Sequence, residues 1–190
     1  MMADIATEPE DFDHRWLERL TGRHRIVFDV KTLGEAVALR RARNYLDAVT
    51  LEHGAKPDQV QAVLALHGAA APIALSDAAW ARYGLGERSR VNDPGTGTFA
   101  TRNIFASETL GDPWTSVAVP ALQRRGAIFL FCNNVLRFLS AQLARQPNED
   151  LNAVRADLIA SFLPGVVLVP AVVAAAAMAQ ERGCAYSVIN

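Results

Sequence analysis

Five short apolar runs recur along the chain, at Arg25–Val30, Val60–Leu66, Ala127–Cys132, Val166–Val169 and Cys184–Ile189, with helix-like segments between them. Most are apolar throughout rather than alternating, so both faces of each strand must be covered. Continuous apolar strands joined by helical crossovers are the pattern of a parallel sheet buried between helices. The expected fold is α/β: a three-layer α/β/α sandwich around a mainly parallel sheet of about five strands. Strand order does not follow from this pattern.

The connecting segments carry their own signals. Thr32 and Glu35 have capping-box spacing and predict a helix that opens there and reaches His53, with Ala38, Ala42, Tyr45, Leu46 and Val49 at helical intervals. Gly54 and Pro57 end it. Further helices are predicted over Pro72–Tyr83, Ser116–Arg125, Asn134–Arg145, Asp150–Leu163 and Val172–Arg182. The stretch from Gly84 to Thr115 has five glycines, two prolines and no sustained periodicity, and reads as a long loop insertion in which Phe99, Phe105 and Trp114 pack against something. Residues 1–24 read as an acidic leader without the apolar core of a secretory signal, and residues 25–190 as one domain.

Composition removes several classes of function. The chain has 190 residues with 19 Lys and Arg against 20 Asp and Glu, so no overall field draws it to nucleic acid or an anionic membrane surface. Between Leu158 and Gln180 no residue is charged, a length that nominally crosses a bilayer. Pro164-Gly165 and Pro170 divide that stretch into a helix end, a β-branched run and an Ala-rich helix, the grammar of a buried strand between helices. Cytoplasm is the expected compartment, with no membrane or nucleic-acid partner. Cys132 and Cys184 form neither a CxxC pair nor a zinc-like cluster, so no metal site and no cofactor is expected.

In open parallel sheets ligands bind at the carboxyl ends of the strands, where helix N-termini and free amides converge. Four sequence positions fall there: Val30-Lys31-Thr32, His67-Gly68-Ala69, Cys132-Asn133-Asn134 and Pro170-Ala171. Cys132 precedes a helix start, a position that favours a reactive thiolate, although a buried cysteine acting as a small hydrophobe fits the same position. His67 is the candidate proton partner. Cys184 reads as structural, and His14, His24 and His53 as leader or surface residues. Gly95-Thr-Gly-Thr98 lacks the strand, helix and lysine of a phosphate loop. Asp29 is a lone carboxylate near a strand end with no visible partner, which leaves carboxylate acid/base chemistry unsupported.

The ordered set Ala42-Arg-Asn-Tyr-Leu46, Val63-Leu-Ala-Leu-His-Gly68, Gly126-Ala-Ile-Phe-Leu-Phe-Cys132 and Gln180-Glu-Arg-Gly-Cys-Ala-Tyr186 resembles the DsrE/DsrF-like family of small sulfur-relay and sulfur-oxidation proteins. The resemblance spans Arg25 to Asn190. It implies a parallel α/β/α fold, a homo-oligomer of three or six copies, and, in sulfur-carrying members, a persulfide-accepting cysteine at the position of Cys132. His67 matches the family's His-Gly and Asn44 its helix-one asparagine. The leader and the 84–115 insertion exceed what small relay proteins have, and no basic cluster adjoins Cys132 in sequence.

Two functional readings stand at this point. One is a cysteine persulfide carrier or sulfur transferase with Cys132 and His67 catalytic, Asn133, Asn134 and helix-terminal amides stabilising the anion, Asn44 and Gly68 contributing to the binding site, and sulfur donor and acceptor proteins as partners. The other is a noncatalytic homo-oligomer that binds a small ligand or a protein partner at the same strand ends.

Overall fold

The structure, a computed structural model, describes residues 12–144 and 150–190. Five strands form one sheet: β1 (His24–Val30), β2 (Val60–Leu66), β3 (Ile128–Cys132), β4 (Val167–Val169) and β5 (Ala185–Ile189). All neighbours are parallel and the order is β4-β3-β2-β1-β5. The continuous apolar runs therefore mean what they implied: β3 is buried at every position and β2 at all but Gln61. The edge strands β4 and β5 are the less buried ones.

From β1 the chain steps outward through β2, β3 and β4, then returns past the whole series to place β5 on the other side of β1. A right-handed crossover that reverses direction must also change face. The helices before β4 accordingly lie on one face of the sheet, and the last helix crosses the other. The first face holds the larger core, built on Phe28, Val30, Leu64, Leu66, Phe129 and Phe131. Over it pack α1 (Val37–Asp47), α2 (Asp77–Tyr83), α3 (Leu85–Ser89), α4 (Trp114–Val117), α5 (Val119–Arg124), α6 (Asn133–Leu143) and α7 (Leu151–Ala160). The second face, with Val27, Val63, Ala65, Ile128, Leu130 and Cys132, is covered by α8 (Val172–Glu181) and by Trp16, Leu17 and Leu20.

Several boundaries differ from the sequence expectation. The Thr32/Glu35 capping box does not form: Gly34, Glu35 and Ala36 all have positive φ, and α1 begins only at Val37 without a side-chain cap. Pro72 stands in a tight turn over Gly68–Ala74, so the helix expected from there starts at Asp77. The Ser116–Arg125 helix is broken at Ala118, whose ψ of 145° is extended, into α4 and α5. Arg145, the expected end of the helix from Asn134, lies outside the described residues; α6 runs to Leu143. Of the leader, residues 1–11 lie outside the described residues, while Trp16, Leu17 and Leu20 are core.

The 84–115 segment is packed. It contains α3 and an antiparallel bridge between Asn92 and Phe99, and it buries Ala100, Ile104 and Phe105. Phe105 contacts Trp80 and Trp114, whereas Phe99, expected to pack, is 49% exposed. Asn103 anchors the segment: its amide donates to the carbonyls of Ile73 and Leu75 at 2.9 and 2.6 Å, and its Oδ1 accepts from the Phe105 amide at 3.0 Å. No helix among the described residues is long and apolar enough to cross a membrane; the uncharged stretch is divided among the end of α7, β4 and α8.

Candidate functional site

Side chains alternate across a strand, and paired residues of parallel neighbours share a face. Val27 pairs with Tyr186, Asp29 with Ala65, and Leu66 with Phe131. One residue beyond the last pair, His67 and Cys132 stand side by side at the carboxyl ends of β2 and β3. The same alternation puts Tyr186, Asp29, His67 and Cys132 all on the face covered by α8. Together they form a diagonal across β5, β1, β2 and β3 that rises to the carboxyl edge of the sheet.

The lower part of that diagonal is closed by hydrogen bonds. Asp29 Oδ1 lies 2.5 Å from His67 Nε2, and the Tyr186 hydroxyl donates to Asp29 Oδ2 at 2.6 Å. Asp29, read from sequence as a carboxylate without a partner, thus has two. It is buried, and His67 is partly exposed. With Nε2 held by the carboxylate, Nδ1 is the nitrogen left for exchange with a substrate. The hydrogen bond that the phenol donates to Asp29 holds it above its ordinary range, because ionisation would lose that bond; burial and the nearby negative charge act in the same direction.

Cys132 ends β3 and is the N-cap residue of α6; it is 5% exposed and its neighbours include Val169, the residue paired with it on β4. The free amides and dipole of an eleven-residue helix therefore begin at this residue, although its side chain makes no capping hydrogen bond and packs on the α8 face. Asn133, next in sequence, is buried, and its Oδ1 accepts from Arg155 of α7 at 2.8 Å. Arg155 thus contacts the residue that follows Cys132, a basic neighbour that the local sequence does not supply.

The remaining candidates divide. Gly68 follows His67 with φ +55°, and a Cβ there would stand 3.1 Å from the Lys31 carbonyl, so the turns after β1 and β2 meet closely at this point. Asn134 is exposed at the first turn of α6 and lines a cleft on the opposite side from Cys132. Asn44 is not part of the assembly: it is exposed on α1, more than a helical turn past its start, and accepts from Arg43. Cys132 and Cys184 are both free thiols, and burial pushes the Cys184 thiol up, with Arg25 opposing. Among the described residues no group of three His, Cys, Asp or Glu side chains is placed to hold a metal ion.

No family model matches this chain, and neither the curated proteins nor the solved structures contain a match to it.

Proposed function

We propose that the protein carries sulfane sulfur on Cys132, with His67 as its proton partner and Asp29 as the group that orients His67. The observation that supports this most directly is the placement of Asp29, His67 and Cys132 on one face at the ends of three adjacent parallel strands, with the carboxylate bound to the imidazole. A thiol, a base and an acid that fixes the base are the parts a nucleophilic sulfur requires.

In this reading His67 takes the Cys132 proton, and the thiolate attacks the outer sulfur of a persulfide donor. A bond forms between Cys132 Sγ and that sulfur. The donor's own S–S bond breaks, and its inner sulfur leaves with the electron pair and receives the proton from His67. No net oxidation occurs. The α6 amides and the Arg155-bound Asn133 favour the anionic stages. Transfer to an acceptor protein is the same step run outward.

Intact-mass measurement after exposure to a sulfane-sulfur donor tests the proposal. The expected result is a gain of one sulfur, reversed by reductant, mapped to Cys132 and absent in Cys132→Ser. A Cys132 that gains no sulfur and resists alkylation until the protein unfolds would leave it a core residue.

A further inference from the structure

We propose that the cleft beside α6 is a binding site for an amphipathic organic acid, a molecule with one anionic head and an elongated apolar body. This goes beyond sulfur transfer and does not depend on Cys132. The cleft, of about 990 Å³, lies between the turn that follows β2, the short helix α3 and one side of α6. Its size falls within the usual range for small-molecule pockets.

The walls specify the body of the ligand. Leu85 and Leu143 are buried at its base, Pro72 and Leu139 add aliphatic surface, and Phe138 stands 62% exposed on the α6 side. A phenylalanine left that open in a concave wall is unfavourable in water and is covered by an apolar ligand. Lining residues run along α6 from Asn134 to Leu143, a rise of about 13 Å at 1.5 Å per residue. That length suits a chain or an aryl-alkyl body rather than a compact ion.

Charge specifies the head. Among the described lining residues there is one cation, Arg88, and no carboxylate. Arg88 Nε donates to the Tyr83 carbonyl at 2.9 Å, which fixes the guanidinium on the wall while its terminal nitrogens have no acidic partner among the described residues. A guanidinium held by its Nε and lacking an acid is suited to a carboxylate or sulfonate. A cationic head would meet Arg88, and a neutral one would leave it unused. A concave, three-walled space with one fixed charge among its described residues favours a small molecule over a flat protein surface.

The test uses the intact protein without any sulfur donor, so its outcome is separate from that of the thiol chemistry. The fluorescent aryl sulfonate 1-anilinonaphthalene-8-sulfonate serves as probe, displaced by octanoate, octanol or octylamine. One saturable site per chain is expected, with octanoate displacing the probe at about tenfold lower concentration than octanol, the increment of one charge-assisted contact, and octylamine weakest. Arg88→Gln should abolish the octanoate preference and leave octanol displacement unchanged, with an unaltered urea unfolding curve. Leu139→Trp, which fills the cleft, should weaken probe and competitors together. Equal displacement by octanoate and octanol, or a preference that survives Arg88→Gln, would overturn the assignment. So would the absence of saturable binding, including the case in which size-exclusion chromatography finds Phe138 covered by a second copy and Phe138→Ser releases it.

Discussion

Asp29 Oδ1 and His67 Nε2 lie 2.5 Å apart although Asp29 belongs to β1, His67 follows the end of β2, and the two stand two register positions apart. The carboxylate reaches upward to the imidazole with one oxygen and accepts from Tyr186 with the other. Asp29→Asn keeps the shape and removes the charge, so Tyr186 and His67 lose a charged acceptor. If His67 serves Cys132, this substitution should slow sulfur uptake at Cys132 by about 100-fold, the low end for a positioned acid/base group, with the fold retained. Stopped-flow or quenched mass measurement reads the rate. An unchanged rate would show that the pair is structural.

Tyr186 makes the same carboxylate testable by pH. The phenol's folded pKa is raised above its ordinary value of 10 by Asp29. A group whose pKa is raised on folding contributes stability that is complete below the unfolded pKa and is lost as pH rises through the folded one. Tyr186→Phe should therefore cost at most about 1 kcal/mol near pH 8, since the residue is 43% exposed and its bond is partly screened. That difference should shrink above pH 10. Urea unfolding of both proteins from pH 8 to 11 measures it.

The two cysteines should separate in reactivity. Burial holds the Cys184 thiol above its ordinary range, which lowers the thiolate fraction at neutral pH. Cys132 stands at a helix start at the sheet edge, the place where thiol chemistry is proposed. Iodoacetamide at neutral pH is expected to label Cys132 first and Cys184 only on unfolding or at higher pH. Peptide mapping decides this, and preferential labelling of Cys184 would contradict the assignment of roles.

The sheet was legible because its strands are buried on both faces, which writes Val60–Leu66 and Ile128–Cys132 as unbroken apolar runs. Cys132 and His67 were legible for the same reason, since each ends such a run. What sequence could not disclose depends on long-range pairing. Asp29 finds Tyr186 157 residues away because β5 returns to the side of β1, and nothing local encodes strand order. Arg155 reaches Asn133 from the following helix. The missed start of α1 is a local signal overridden: Thr32 and Glu35 have the right spacing, but three successive left-handed residues carry the chain away from β1 before the helix begins.

Asp93 offers an acid-side test in the 84–115 segment. Its carboxylate accepts from Arg102 Nε at 2.6 Å and from the Gly95 amide at 2.8 Å, and the guanidinium holds the carboxyl below its ordinary 3.8. A depressed folded pKa contributes stability present above the unfolded pKa and lost as pH falls through the folded value. Asp93→Ala should cost about 1–2 kcal/mol at pH 6, kept low because Arg102 is 39% exposed. The gap between the two proteins should close below pH 4. A gap that stays constant to pH 3 would show that the loss is one of packing.

The last prediction concerns how firmly that segment is held. Gly86 of α3 packs directly on the backbone of Ala100: a Cβ at residue 86 would stand 2.0 Å from the Ala100 carbonyl oxygen. Its φ is not in the left-handed region, so contact alone demands glycine here. Backbone cannot turn aside as a flexible side chain can, and Gly86→Ala must move α3 or the bridge between Asn92 and Phe99. The expected cost is about 2–3 kcal/mol, at the upper end for an inserted methyl in a packed region. Asn103→Ala should cost a similar amount by another route, leaving the Ile73 and Leu75 carbonyls without their buried donor. Both substitutions act on one segment, so their effects should sum to less than the two separate losses once either has freed it. Since α3 also carries Leu85 and Arg88, Gly86→Ala should weaken probe binding in the cleft while leaving sulfur uptake at Cys132 intact. A double-mutant cycle in urea, read together with probe titration, separates these effects. Full additivity with undiminished probe binding would mean that α3 and the Asn103 turn are held independently.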